Sequence, residues 1–90
     1  SRIADNLIES LLKYATLLDE HEAFDTKLLI SDIIFRFDSV NEAALRLKCA
    51  TYVFMRKQYM AKTTYEHFCR EYKSLYDEPF EHSFNSIISQ

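Results

Sequence analysis

The feature that most constrains the fold of this 90-residue chain is its lack of glycine, together with its single proline. An all-β chain of this length would need many tight turns, and those turns depend on Gly, Asn or Pro. Long helices joined by short connections need few such residues, so we predict an all-α fold. The lack of glycine also excludes the glycine-rich loops that cradle the phosphates of nucleotides.

Apolar residues that recur every three or four positions predict five helices. We expect them at about residues 3–18, 22–36, 39–55, 58–76 and 80–88. Short connections between long helices make neighbours antiparallel, which predicts stacked helix hairpins in one domain over residues 1–90. The apolar stripe of the first helix is expected to contain Ile3, Leu7, Leu11, Tyr14 or Ala15, and Leu18.

Polar residues near the predicted helix ends indicate how three of the helices begin. Asp25 is expected to cap the regular part of the second helix. Ser39 and Glu42 have the spacing of a capping box, so the third helix is expected to begin at Ser39. Pro79 follows two acidic residues and is expected in the first turn of the last helix, where its missing N–H has no cost.

The first two predicted hairpins show an internal repeat. A set of bulky, small and bulky residues in the first helix recurs 34 residues later, and 34 residues is the tetratricopeptide period. Lys27 and Ser31 depart from this pattern in the first unit, and Arg56 replaces the usual turn glycine in the second. The matching sets are Leu11, Ala15 and Leu18, and then Leu45, Cys49 and Tyr52.

Three segments carry a resemblance to a known family: Asn41–Leu47, Arg56–Glu66 and Leu75–Phe80. Through them the chain resembles the bacterial transcriptional activator domain, a tetratricopeptide-like module of antibiotic-regulatory-protein type regulators. The resemblance implies a regulatory module that self-associates or contacts another protein, with DNA recognition in a separate domain absent from this chain. Because the chain opens with Ser1 and not Met, we expect a fragment of a longer regulator.

The net charge of −3 does not favour nucleic acid as a partner. Residues 1–45 carry four basic and nine acidic side chains, whereas residues 46–90 carry seven and five. The basic turn at Arg56 and Lys57 leaves a direct nucleic-acid binder as an alternative, with an affinity that falls steeply with salt. No run of 18 apolar residues is present, so we expect no membrane partner.

The residues that could support chemistry are too scattered to form a predicted site. His21, His67 and His82 lack the close spacing of metal ligands, so no metal or cofactor is expected. Cys49 and Cys69 lie on apolar helix faces, where burial raises the pKa of a thiol and removes its nucleophilicity. We therefore expect reduced core thiols, a cytoplasmic protein and no enzymatic activity.

By the repeat register, the first helix of each hairpin presents a concave face to a protein partner. Small Ala50 would leave room for that partner, and exposed Val53 and Phe54 would anchor it. The alternative is that the last helix, or a helix preceding the chain, covers this face. The sequence thus predicts a protein-interaction or dimerisation module of a bacterial transcriptional regulator, or else a general tetratricopeptide-type scaffold or adaptor unconnected with transcription. The predicted binding residues are Leu12, Thr16, Arg46, Ala50, Val53 and Phe54.

Overall fold

The computed structural model describes residues 1–89, which form five α-helices and, within that range, no strand. Successive helices pack on one another in chain order, and the last helix packs back against the third. The prediction of an all-α fold of stacked helix hairpins is confirmed. Within residues 1–89, none of the helices combines the length and apolar character needed to cross a membrane. The helices are α1 (Arg2–Thr16), α2 (Phe24–Phe37), α3 (Glu42–Phe54), α4 (Gln58–Tyr76) and α5 (Phe84–Ile88).

The 34-residue register predicted from the sequence is visible in the structure. Helices α2 and α4 begin at residues 24 and 58, which are 34 positions apart. Ala15 and Ile34 of the first hairpin are buried, and so are their counterparts Cys49 and Phe68 of the second. Equivalent positions of the two hairpins therefore face the interior, as stacked repeats require.

The interior consists of two clusters that meet at α2. Phe35 packs against both clusters, and its ring centroid lies 6.4 Å from that of Phe68. This shared residue joins the two hairpins into one hydrophobic core. The first cluster is formed by Ile8, Ala15, Ile30, Ile34 and Ala44. The second cluster is formed by Leu45, Cys49, Ala61, Phe68 and Ile87.

The predicted caps of α2 and α3 are wrong. Helix α3 begins after Asn41, whose side chain accepts a hydrogen bond from the backbone N–H of Ala44 at 2.9 Å. Ser39 lies in the preceding turn, where the Asp38 carboxylate binds the N–H of Val40 and holds the chain outside the helix. Helix α2 begins after Ala23 without a side-chain cap, and the expected cap Asp25 lies inside its first turn.

The prediction for Pro79 and the start of the last helix is also wrong. Helix α5 begins after Ser83, whose hydroxyl accepts a hydrogen bond from the N–H of Ser86 at 3.1 Å. Residues 78–83 are non-helical because tertiary contacts override local propensity. The Phe80 ring lies 4.8 Å from the ring of Phe68, and the Tyr65 hydroxyl donates a hydrogen bond of 2.5 Å to the carbonyl of His82.

Candidate protein-binding surfaces

A groove of about 760 Å³ lies between α2, α3 and α4, and we call it the α2–α4 groove. Phe68 is almost fully buried at its base, whereas Tyr59 is 70 % exposed at its edge. Such a combination of apolar base and polar edge is typical of surfaces that bind proteins or peptides. The lining residues are Asp32, Phe35, Arg36, Ser39, Lys48, Tyr52, Tyr59, Met60, Thr63, Thr64, His67, Phe68 and Glu71.

Charged side chains of both signs surround the α2–α4 groove. The Lys48 ammonium lies 2.9 Å from the Asp32 carboxylate and joins α3 to α2 along one wall. Arg36 lies on the same side and Glu71 contributes a carboxylate from α4. The groove therefore has no strong excess of either charge, and the rest of its lining includes aromatic and methionine side chains.

The structure does not bring the six predicted binding residues into one cavity. None of them lines the α2–α4 groove. Leu12 packs against the first cluster, and half-buried Val53 packs against the second cluster, which also contains Ile87 of α5. Arg46 is held on its own helix, because its guanidinium lies 3.0 Å from the carboxylate of Glu42.

The other three predicted residues lie along the ends of α1 and α3. Thr16 is exposed, and its hydroxyl donates a hydrogen bond to the carbonyl of Lys13. Phe54 is 40 % exposed, and its ring meets the ring of His21 edge-to-face at 5.0 Å. Ala50 is half-buried. Within the predicted set, therefore, Phe54 is the large apolar side chain that is exposed to solvent.

Helix α1 carries exposed apolar side chains, and two of them, Ile3 and Leu7, were expected in the interior. Ile3 is 83 % exposed, Leu7 is 40 % exposed and Tyr14 is 52 % exposed, whereas Ile8 and Ala15 are buried. Of the predicted stripe, Leu11, Ala15 and Leu18 face the first cluster as expected, whereas Ile3 and Leu7 lie on the exposed side. The signal was present in the sequence, because α1 has apolar residues on more than one face, which is more than one neighbouring helix can cover.

The titratable groups of the second cluster are arranged to stay uncharged. Burial raises the pKa of the Cys49 thiol from 9.0 to about 12, although the charge of Lys48 opposes this effect. Its Sγ lies 3.5 Å from the carbonyl oxygen of Ala61. Burial also raises the pKa of Tyr65 to about 12, with Cys69 adding to the effect. These groups stay protonated at neutral pH, so Cys49 is not a nucleophile there.

Metal ligation finds no support in the geometry of residues 1–89. Across these residues, no three His, Cys, Asp or Glu side chains converge closely enough to hold a metal ion. One histidine, His82, does lie close to acidic side chains: its Nε2 is 3.7 Å from the carboxylate of Glu42 and 3.7 Å from that of Glu81. This contact joins the C-terminal segment to α3 at the surface of the chain.

Comparison with known proteins finds no protein-family model, curated protein or solved structure that matches this chain. The resemblance of residues 41–80 to the bacterial transcriptional activator domain therefore stays a prediction. The fold itself, two stacked hairpins with a returning C-terminal helix, does not identify a function.

Proposed function

We propose that this chain is a non-catalytic protein-interaction module of a bacterial transcriptional regulator, used for self-association or for binding another protein. The observation that carries the proposal is the α2–α4 groove, an open cavity of about 760 Å³ on a helix-hairpin scaffold. DNA would be contacted only through a separate domain of the regulator, which would act in the cytoplasm. The six residues predicted from the repeat register stay a second candidate surface of the same module.

The lining of the α2–α4 groove supports a peptide or helix as its occupant. Tyrosine and methionine are enriched at protein interfaces, and the groove presents Tyr52, Tyr59 and Met60 together. The apolar face of an amphipathic helix fits such a surface, with aromatic side chains as anchors.

The chemistry of the buried groups supports a non-catalytic role. A catalytic cysteine needs a lowered pKa and access to solvent. Cys49 has the opposite properties, because it is fully buried and its pKa is raised to about 12. Cys69 of α4 is free and half-buried. Cys49 is thus better explained as a packing group than as a nucleophile, whereas Cys69 is not part of the buried core in which the sequence had placed it.

The alternative function is a general tetratricopeptide-type scaffold or adaptor unconnected with transcription. It is favoured by the repeat register of the two hairpins, since helices α2 and α4 begin 34 residues apart. Sequencing the complete reading frame separates the two functions. A DNA-binding domain in the same polypeptide supports the regulator, and a series of further 34-residue repeats without such a domain supports the scaffold.

The groove is tested by selecting binding peptides from a random displayed library against the 90-residue chain. Peptides that occupy the α2–α4 groove should lose at least about tenfold in affinity when Tyr59→Ala removes an exposed aromatic anchor. Leu75→Ala is the matched control, because Leu75 is also on α4 and is 58 % exposed but does not line the groove. Affinity is measured by fluorescence anisotropy of the labelled peptides.

The two variants give opposite outcomes if the proposal is correct. Loss of binding in Tyr59→Ala with full binding in Leu75→Ala supports the groove as the binding surface. Equal binding to both variants, or a library that yields no specific peptide, contradicts it. Circular dichroism of the variants checks that the helices are retained.

A further inference from the structure

An exposed apolar stripe runs along α1 and has no partner within residues 1–89. Its members follow one another at intervals of four, three, four and three residues, the spacing of a helix-pairing seam. The stripe covers about 21 Å of helix at 1.5 Å per residue. Leu17, which follows the last residue of α1, is 82 % exposed and extends the stripe past Tyr14. The stripe consists of Ile3, Leu7, Ser10, Tyr14 and Leu17, and we call it the α1 stripe.

We infer that the α1 stripe is the interface of a homodimer in which α1 packs antiparallel against α1 of a second copy, with Ser10 at the twofold axis. The inference rests on the proposed function, since it names the surface and the partner for self-association. It uses a face different from the α2–α4 groove, so the two surfaces can be tested separately.

The order of side-chain sizes in the α1 stripe suits a twofold axis. From one end to the other the stripe reads large, large, small, large, large, with Ser10 at its centre. In an isologous dimer the same surface of both copies meets itself. Antiparallel pairing about Ser10 places Leu7 opposite Tyr14 of the second copy, while the small serine side chains allow the two helices to approach closely.

Charge at the two ends of α1 selects the antiparallel orientation. Arg2 lies in the first turn of the helix, and the acidic pair Asp19 and Glu20 lies in the turn just after its last residue. Antiparallel pairing brings each Arg2 towards the acidic turn of the other copy, so the favourable contact forms twice. Parallel pairing would instead bring the two acidic turns together, and the helix dipoles would also repel.

The size of the surface sets the expected strength of the dimer. One pair of helices buries less than the standard protein interface of about 800 Å² per partner. We therefore expect a weak, reversible dimer.

The dimer is tested by sedimentation equilibrium of the 90-residue chain over a wide range of concentrations. The expected mass rises from 10.7 kDa towards twice that value as the concentration increases. Ile3→Glu with Leu17→Glu should weaken the dimer at least tenfold. Both side chains are more than 80 % exposed, so the fold should be retained. Leu75→Glu places the same charge on an exposed leucine of α4 and should leave the dimer unchanged.

A charge exchange tests the orientation of the two helices. Arg2→Glu alone and Glu20→Arg alone should each weaken the homodimer, because each creates two like-charge contacts. An equimolar mixture of the two variants should form a heterodimer, in which both end contacts are again between opposite charges. A mixture that stays monomeric overturns the antiparallel arrangement, as does a variant that dimerises as well as the original chain.

The results also separate this inference from the proposed function. A chain that is monomeric at every concentration, or whose dimer is unaffected by the stripe variant, overturns the α1 interface. If that chain still binds peptides in the α2–α4 groove, the proposed function stands with another partner. A chain that neither dimerises nor binds groove peptides contradicts both.

Discussion

The two hairpins have the same 34-residue register but differ in what covers their apolar surfaces. In the second hairpin, the C-terminal segment returns across α3 and α4, and Phe80 and Ile87 pack into the second cluster. In the first hairpin no segment within residues 1–89 covers the outer side of α1, and Ile3 is left 83 % exposed. The first hairpin therefore has the larger uncovered apolar surface along its outer helix.

The hairpins also differ at one equivalent buried position, and the length of the turn explains why. The connection between α1 and α2 covers residues 17–23, whereas that between α3 and α4 covers residues 55–57. The longer turn places the carbonyl of Asp19 where the ammonium of Lys27 donates a hydrogen bond to it. Lys27 is buried for this reason, while its counterpart Ala61 is buried as the small residue of the repeat.

Substitutions at this position of the two hairpins should give the largest effect on the free energy of unfolding. Ala61→Lys should lower the free energy of unfolding by about 3–5 kcal/mol, because the second hairpin has no room for the chain and no acceptor for the charge. Lys27→Met should change it much less, because it keeps the volume of the side chain and removes only the hydrogen bond to the Asp19 carbonyl and the contact with the Phe24 ring. Urea unfolding measures both, and equal losses in the two variants would contradict the comparison.

Alkaline pH should weaken the second hairpin specifically. The pKa values of Cys49 and Tyr65 are both raised to about 12 in the folded chain, from 9.0 and 10.0. The folded state therefore holds protons that the unfolded state releases, so this stabilisation is complete below about pH 9 and is lost as the pH rises towards 12. The free energy of unfolding, measured in urea, should therefore be lower at about pH 11 than at about pH 8.

Removing the two groups provides the control for the alkaline effect. Cys49→Ala with Tyr65→Phe leaves neither group to titrate, so the slope of stability against pH in this range should be much smaller. A slope that is the same in the double variant would show that groups other than Cys49 and Tyr65 cause the loss; Tyr72, whose pKa is also raised, is a further such group in the second cluster.

The cap of α3 should contribute an effect of intermediate size. Asn41→Ala removes the side-chain acceptor for the N–H of Ala44 and should cost about 1 kcal/mol. Ser39→Ala should change the free energy of unfolding by less than about 0.5 kcal/mol, because Ser39 is exposed and lies in the turn before the cap. A larger loss of thermal stability in Ser39→Ala than in Asn41→Ala would contradict the observed cap and support the capping box expected from the sequence.

The smallest effects should come from the turns that connect the helices of each hairpin. Ala23 and Arg56 both have positive φ values, 56° and 62°, in the left-handed region that favours glycine. Ala23→Gly and Arg56→Gly should each raise the melting temperature, with a gain in the free energy of unfolding of about 0.5–1 kcal/mol. Lys57→Gly is the matched control, since Lys57 has φ −120° and should instead lose stability.

Much of the fold could be predicted because it depends on strong local signals. The apolar spacing gave α4 as residues 58–76, which are the residues that the structure assigns to it. The repeat register located Cys49 and Ala61 in the core. These features follow from periodicity, which a single sequence displays in full.

The caps and the candidate surfaces were harder to predict because they depend on contacts between distant residues. Ser39 and Asn41 are both good caps, and the choice between them depends on the turn formed by Asp38. The extended segment before α5 is fixed by Phe80 against Phe68. The α2–α4 groove combines residues of three helices, so no short motif indicates it.

The most direct test of the account is to observe which methyl groups respond when the chain self-associates. Methyl resonances are assigned by NMR and followed as the protein is diluted over the concentrations at which its mass changes in sedimentation equilibrium. The account predicts shifts at Ile3, Leu7 and Leu17, with Leu45 and Ile87 of the second cluster unchanged. Methyl groups that do not shift at any concentration, or shifts confined to the second hairpin, would contradict the claim that the first hairpin is the associating surface.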